Sequence, residues 1–423
     1  MKPTAPLCLG VFFAMSVQSA WAIPNSFIGN GGFIGPIVPA QPRFGANLTE
    51  DFLNLAHWDT GKFSGPWKES GDLRKMTAMP VLFGAVPDSV VLRKENDRVR
   101  EIIITYLDAA TFFPYQAGGE KTRDQRDIGE ARRAEFDSQW HRLERELRER
   151  LTAGCGPGEQ VVEGRSDLLR RTYLDYAWED FRLRLARHAD HSVALHLSRI
   201  SDPAPAPVDQ ALVALDATSR SAALAKNITV GDHGETFIEG IPVFDQGFTP
   251  YCGVHALAMV AHYHGLRLPP GDLAAGAEFA NTGSARGSRI LDLYRAVGEE
   301  LRLTESTSSR FDQGRVERSL RAGLPVIVWR RVSMEREKAH AEFASRLIND
   351  PALALEPLSA QTKAQLPPRN RKGSPSHASV ITGIDADNDT LIYLEPWEAE
   401  SAQRRMRAEE MEATTYAVFY FEP

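Results

Sequence analysis

Apolar positions in this chain follow two different periods in its first half. Between residues 79 and 107 they form short β-branched runs, Val81-Leu82-Phe83, Val90-Val91-Leu92 and Val99 through Leu107 with Ile102, Ile103 and Ile104, and a polar Glu95-Asn96-Asp97 turn separates the last two. Short apolar runs around a polar turn predict a β-hairpin. From about Ile128 to Leu151 the spacing changes, and Phe136, Trp140, Leu143, Leu147 and Leu151 recur every three or four residues with Arg and Glu between them. That period predicts an amphipathic helix whose charges form a solvated face laced with i,i+4 pairs. Leu174, Trp178, Phe181 and Leu185 repeat the spacing after the Gly154-Cys155-Gly156-Pro157-Gly158 loop, so a helical hairpin is expected there.

Pro203-Ala204-Pro205-Ala206-Pro207 is stiff and extended, a linker by composition. Beyond it, Thr236 to Phe244 reads as a strand, and an apolar helix opens behind Pro250 and runs through Ala256, Met259, Val260 and Tyr263 to a Gly265 stop. Ile290, Leu291, Leu293 and Val297 mark a second helix, Val316 and Leu320 a third, and Gly323 to Trp329 a buried strand. Another strand begins near His377, turns at Asp385-Ala386-Asp387-Asn388-Asp389 and returns through Leu391 to Leu394, ending at Glu395-Pro396-Trp397. The stretch Glu335 to Arg371 is charged and without period, and reads as an irregular insertion.

The N-terminus carries a different pattern: Lys2, an apolar run from Pro6 to Val17, then Ala20-Trp21-Ala22. A charged start, a short apolar run and a small-x-small end are the parts of a cleaved secretory signal. The run falls short of the ~20 residues a bilayer-spanning helix needs. The expected division is a signal peptide at 1–22, a Gly/Pro-rich leader at 23–45, an N-terminal accessory domain or pro-domain at 46–202, a linker at 203–234 and a further domain at 235–423.

Composition narrows the function classes. With 49 Lys+Arg against 56 Asp+Glu the net charge is -7 and the pI about 5.9. Phosphates have no general electrostatic reason to bind, so no nucleic-acid partner is expected. No stable membrane insertion is expected either, and oligomeric state is not readable. Without the signal, Cys155 and Cys252 remain. Export would permit a disulfide, but the setting of Cys252 asks for a free thiol, so both are expected unpaired.

That setting is the most informative feature of the sequence. Cys252 falls at a helix N-terminus, where unpaired N–H groups and the positive end of the dipole favour a thiolate. Nucleophilic cysteine chemistry also needs oxyanion donors, a base and a group that orients the base. Gln246, six positions upstream, is a neutral donor that can return toward the helix start. His377 begins one strand and Glu395 ends its antiparallel partner, so the carboxylate can accept the imidazole N–H. Rival metal sites fit poorly. Cys252 and His262 lie roughly 15 Å apart along a helix, too far to share one ion. Asp385, Asp387 and Asp389 imitate a calcium loop, but Thr390 replaces its turn glycine and Pro396 its final glutamate. No metal or cofactor is expected.

Asp245-Gln246-Gly247 followed by Cys252, the His377-Ala378 strand and the Glu395-Pro396-Trp397 ending resemble the papain-like cysteine peptidase superfamily. Within it the pattern is closest to the bacterial branch of bacteriocin-leader-processing (double-glycine) peptidases. The resemblance covers roughly residues 235–423. It implies an α+β fold: a papain-like domain whose N-terminal helix carries the cysteine and packs on an antiparallel sheet carrying the histidine and the acid, here preceded by a mixed β-hairpin and helical domain. It also implies Cys252 as nucleophile, His377 as base then acid, Gln246 as oxyanion donor and Glu395 as orienting residue. The family's third member is usually Asn or Asp, so Asp385 stands as the substitute for Glu395. The implied activity is that of an exported, periplasmic or secreted cysteine-type peptidase acting on a peptide or protein. Two other classes stay open, a catalytically silent binding or assembly module and an amide or acyl transferase of the Cys-His-acid type.

Overall fold

The computed structural model describes residues 48–423 except 71–72, 96–97, 114–122, 189–190, 203–206, 232–233, 245, 247–250, 278–288, 351–352, 371–374 and 397–402. The expected signal and leader, most of the Pro-Ala run, Asp245 and Gly247 to Pro250 lie outside the described residues.

Eight antiparallel strands make the first sheet: β1 Trp67–Ser70, β2 Leu73–Met76, β3 Ser89–Glu95, β4 Arg98–Asp108, β5 Glu159–Glu163, β6 Arg171–Trp178, β7 Phe181–His188 and β8 Ser192–Arg199, in the order β1-β2-β3-β4-β8-β7-β6-β5. The expected hairpin is β3 and β4. The expected helix is Arg123–Cys155, which buries Phe136, Leu143, Leu147 and Leu151 in one core with Ile102, Ile104, Leu183 and Leu185. The second half of the helical hairpin is a correction: Leu174 to Leu185 forms the antiparallel pair β6 and β7, and its turn places Glu179 at φ 48°. Steps of four fit a strand's period of two as well as a helix's 3.6, and only the three-residue step across the turn imitated a helix. The N-terminal part is therefore a large sheet covered by a long helix.

The second sheet holds β9 Ile228–Val230, β10 Thr236–Ile238, β11 Thr304–Ser308, β12 Val326–Arg331, β13 Ser376–Asp385, β14 Thr390–Leu394, β15 Gln403–Arg407 and β16 Thr415–Glu422. Its order is β11-β16-β12-β13-β10-β9, with β14 also on β13 and β15 on β14. Near its C-terminal end β13 pairs with both β10 and β14, and its register with β14 shifts between Ile381 and Gly383. A Cβ at Gly383 would come within 2.6 Å of the Thr236 carbonyl oxygen, so the close approach of β10 requires glycine. The strand expected from Thr236 to Phe244 ends at Ile238, because Gly240 takes φ 77° and Pro242 donates no ladder bond.

Helix Cys252–Tyr263 buries Val254 and every residue from Ala256 to Ala261. A helix apolar on all sides belongs in a core. This one packs against β12 and β13 and against helices Pro270–Gly276 and Ile290–Leu301, and the chain turns away at Gly265 with φ 98°. The expected irregular insertion is instead largely helix Met334–Asn349, followed by a short helix Ala360–Gln365. Its inward face is Glu337, His340 and Ala344. Those positions have helical spacing, but two are ionisable, so no hydrophobic stripe announces the helix. Among the described residues no helix is long and apolar enough to cross a membrane.

Side chains before residue 203 reach the second half of the chain. Leu169 is buried in the core of helix Cys252–Tyr263, and the Glu300 carboxylate accepts the Arg165 and Ser166 N–H groups at 2.7 and 3.2 Å. Asp272 pairs with His188 at 3.0 Å while the Arg171 guanidinium donates to its carbonyl at 2.8 Å. Burial alone would raise the Asp272 carboxyl, but His188, His196 and Arg171 outweigh it and hold it down at about 2. A depressed carboxyl contributes stability above its unfolded pKa, ordinarily 3.8, and loses it as pH falls toward about 2. Asp272→Asn is thus expected to cost about 2 kcal/mol in urea unfolding at neutral pH. The gap to the unsubstituted protein should close as pH falls through that window, and a gap independent of pH would contradict the assignment.

Candidate active site

Cys252 is the first residue of its helix, and the preceding Tyr251 supplies no side-chain cap. The positive helix end therefore faces the thiol uncancelled. Cys252 is partly exposed, whereas His377 and Glu395 are buried. The sulfur lies beside His377 and the backbone N–H groups of Ala378 and Gly253, which favour its charged form.

His377 is the second residue of β13, the strand that packs against the cysteine helix. Because β14 runs antiparallel with Leu394 opposite Val380, the next residue along, Glu395, comes opposite Ser379, two residues from His377 on the same face of β13. The His377 Nε2 hydrogen-bonds Glu395 Oε2, which leaves Nδ1 for the sulfur. Burial would push the thiol up, but the hydrogen bond and charge of His377 with the two N–H groups bring Cys252 below its ordinary 9.0. Burial likewise disfavours a charged imidazole, yet Glu395 and Cys252 raise His377 to about 9. Glu395 itself is held at about 2 against its burial by His377, Arg330 and Ser379. The constellation is a cysteine at a helix start, an imidazole beside it and a carboxylate behind the imidazole, with the shifts of all three in the direction that favours their charged forms.

Asp385 lies at the opposite end of β13, about 26 Å from His377 at ~3.3 Å per strand residue. Its oxygens accept the Asn388 N–H at 3.1 Å and Nδ2 at 2.8 Å and face Arg405 at 3.6 Å. The structure thus brings Glu395, and not Asp385, to His377. Gln246 is buried, and its N–H donates to the Pro396 carbonyl at 2.6 Å, so the chain leading into the cysteine helix runs beside the acid.

His262 and its neighbours His255 and His264 are packed into the fold. His255 Nδ1 meets the Tyr251 carbonyl at 3.0 Å, and His262 Nε2 accompanies the Leu268 carbonyl at 2.9 Å, its basicity pushed down to about 4 by burial. His264 is fully buried and lowered to about 3 by the same cause. Asp389 accepts from the Gln313 amide at 3.1 Å. Among the described residues no three His, Cys, Asp or Glu side chains are grouped to hold a metal ion. Cys155 and Cys252 are both free thiols, and burial raises Cys155.

Sequence reasoning missed the residues behind the acid and beside the helix. Arg330 and Ser379 hydrogen-bond Glu395, Tyr294 Oη donates to the Gly253 carbonyl at 2.8 Å, and Trp329 Nε1 donates to Tyr294 Oη at 3.2 Å. One signal was present: Ser379 follows His377 by two and so shares its strand face. Arg330 offers none until β12 and β13 are set in register.

The family model described as Peptidase_C39 like family matches residues 238–422. A crystal structure from Bacillus anthracis described as a C39-like peptidase is 15% identical, with a TM-score of 0.30, and the likeness covers 45% of this chain and 98% of that one. No curated protein matches the sequence. The resemblance carried by Gln246, Cys252, His377 and Glu395 thus falls within the matched span.

Proposed function

We propose that residues 235–423 are a papain-like cysteine peptidase domain of an exported protein, hydrolysing peptide bonds through an acyl-thioester on Cys252. The observation that carries this reading is the contact of one imidazole with both Cys252 and Glu395 at the start of a buried helix.

In the first half-reaction the Cys252 thiolate attacks the carbonyl carbon, and the oxyanion is held by the Cys252 N–H and the Gln246 amide. The His377 imidazolium gives its proton to the departing amine as the C–N bond breaks, leaving the acyl-thioester. Neutral His377 then takes a proton from water as the water adds to the carbonyl. The C–S bond breaks, the acid leaves, and the thiolate–imidazolium pair is restored. Glu395 keeps the imidazole in one tautomer throughout. The family match points to a peptide or protein substrate. The buried Asp272–His188 pair and the burial of Leu169 favour an N-terminal half that stays attached as an accessory domain over a removable prosegment.

Iodoacetamide alkylation followed by peptide mass mapping tests the pair directly. Cys252 is expected to titrate below an ordinary free thiol and Cys155 above it. Since His377 stays protonated up to about 9, kcat/KM on a peptide found in a cleavage library should rise as the thiolate forms and fall again near that pH. Low-pH alkylation without cleavage would mean a silent module, and acyl transfer to an added amine in preference to water would mean a transferase.

A further inference from the structure

Glu395 is longer by one methylene than the Asn or Asp usual in its role, and it is completely buried. Its Oε2 serves His377, while its Oε1 accepts from Arg330 Nη2 and from Ser379 Oγ, the latter at 2.7 Å. Two donors on one oxygen prevent the carboxylate from rotating, because a swing that freed Oε2 from His377 would break both bonds. Arg330 is fastened in turn: its Nε donates to Ser379 Oγ at 3.0 Å, and Nη1 and Nη2 donate to the two Glu337 oxygens at 2.5 and 3.0 Å.

The register explains the convergence. Arg330 on β12 stands directly opposite His377 on β13, and Ser379 is two residues further along the same face. The pairing of β12 with β16 shifts between Trp329 and Arg330, an irregularity of the kind that re-aims a side chain. Glu337 arrives from helix Met334–Asn349, the segment that no apolar pattern announced.

We propose that Arg330 and Ser379 are positioning residues that make a glutamate competent to orient His377, with Glu337 of helix Met334–Asn349 anchoring Arg330. The proposal rests on the peptidase reading and names the groups on which that site depends. Glu395 is faced by His377 and Ser379 from β13, Arg330 from β12 and Tyr393 from β14; behind Arg330 stand Glu337 of its helix and Arg404 from β15, which donates to Glu337, and behind His377 stands Cys252. His340 stands one bond further out, on Tyr393 Oη at 3.1 Å. Ionised, Cys252, His377, Glu395, Arg330, Glu337 and Arg404 alternate in sign. Without the guanidinium, two buried carboxylates confront each other and Glu395 takes up a proton at higher pH. A protonated Glu395 no longer attracts the imidazolium, so the thiolate pair fails first on the acid side.

The test is the pH profile of Cys252 alkylation and of kcat/KM in full-length protein, comparing the unsubstituted chain with Ser379→Ala and Arg330→Gln, each checked for folding by circular dichroism. The acid limb is expected to move up by about one pH unit in Arg330→Gln, a tenfold loss at a fixed acidic pH, and by less in Ser379→Ala. kcat should fall with KM unchanged, because neither side chain needs to touch substrate. Glu337→Gln, which keeps the acceptor but drops its charge, should lie between Ser379→Ala and the unsubstituted chain. Where Arg330→Gln does not fold, Ser379→Ala decides, since it deletes only a hydroxyl. A low unsubstituted titration that neither variant moves overturns this proposal alone. An unsubstituted Cys252 that titrates like a free thiol overturns the peptidase reading and this proposal with it.

Discussion

Cys252→Ala is expected to abolish peptide hydrolysis, lowering kcat by about 10⁴ to 10⁶, and His377→Ala to come close to it. Cys252 and His377 are coupled: the thiol is lowered chiefly by His377 against its burial, and His377 is raised by Glu395 and in part by the sulfur. Removing either dismantles the other's chemistry. The double variant should consequently be no worse than the single ones, as happens when residues act together. Cys155→Ala provides the control, since that thiol is raised by burial and lies at the end of the long N-terminal helix. Peptide cleavage measured across these four proteins decides the matter, and turnover that survives in Cys252→Ala would remove the cysteine from the mechanism.

Glu395→Ala is expected to have the second largest effect, and it should reach stability as well as rate. The substitution strips Arg330 of one buried carboxylate and leaves His377 Nε2 without its acceptor. Breaking a buried ion pair on one side costs about 3–5 kcal/mol, readable in urea or thermal unfolding. The rate should fall by about 10⁴, the loss expected when the imidazole is no longer held in its tautomer. Glu395→Gln keeps an oxygen for Arg330 and Ser379 but presents an amide N–H to His377 Nε2, so it should spare most of the stability while still costing the rate up to about 10⁴ through the wrong tautomer. Asp385→Ala removes only the contacts to Asn388 and Arg405 at the far end of the strand, about 1 kcal/mol each, and should leave the rate nearly unchanged. The opposite order of rates, with Asp385→Ala crippled and Glu395→Ala active, would reassign the acid.

By itself the amino-acid sequence determined the features that depend on neighbours a few residues apart. The apolar run after Pro250 made Cys252 a helix start, and the strand, polar turn and returning strand put His377 and Glu395 within reach of each other. Such features follow from the local geometry of the backbone, whose periods are written directly into the order of side chains. It left Glu395 and Asp385 as alternatives, because both flank the same hairpin and only the paired strands show that one reaches His377 and the other lies a full strand length away. It misread β6 and β7, where steps of four suit two periods at once, and helix Met334–Asn349, whose buried face carries Glu337 and His340 in place of apolar residues. The contacts of Arg330 with Ser379 and Glu395, 49 and 65 residues away, and of His188 with Asp272, 84 residues away, had no local trace. Which side chains meet across such distances is set by sheet register and by the packing of whole layers, and register is chosen by the burial of entire strand faces, not by any one residue. The tertiary structure alone decided that a buried arginine would stand opposite His377 and hydrogen-bond the carboxylate that His377 contacts.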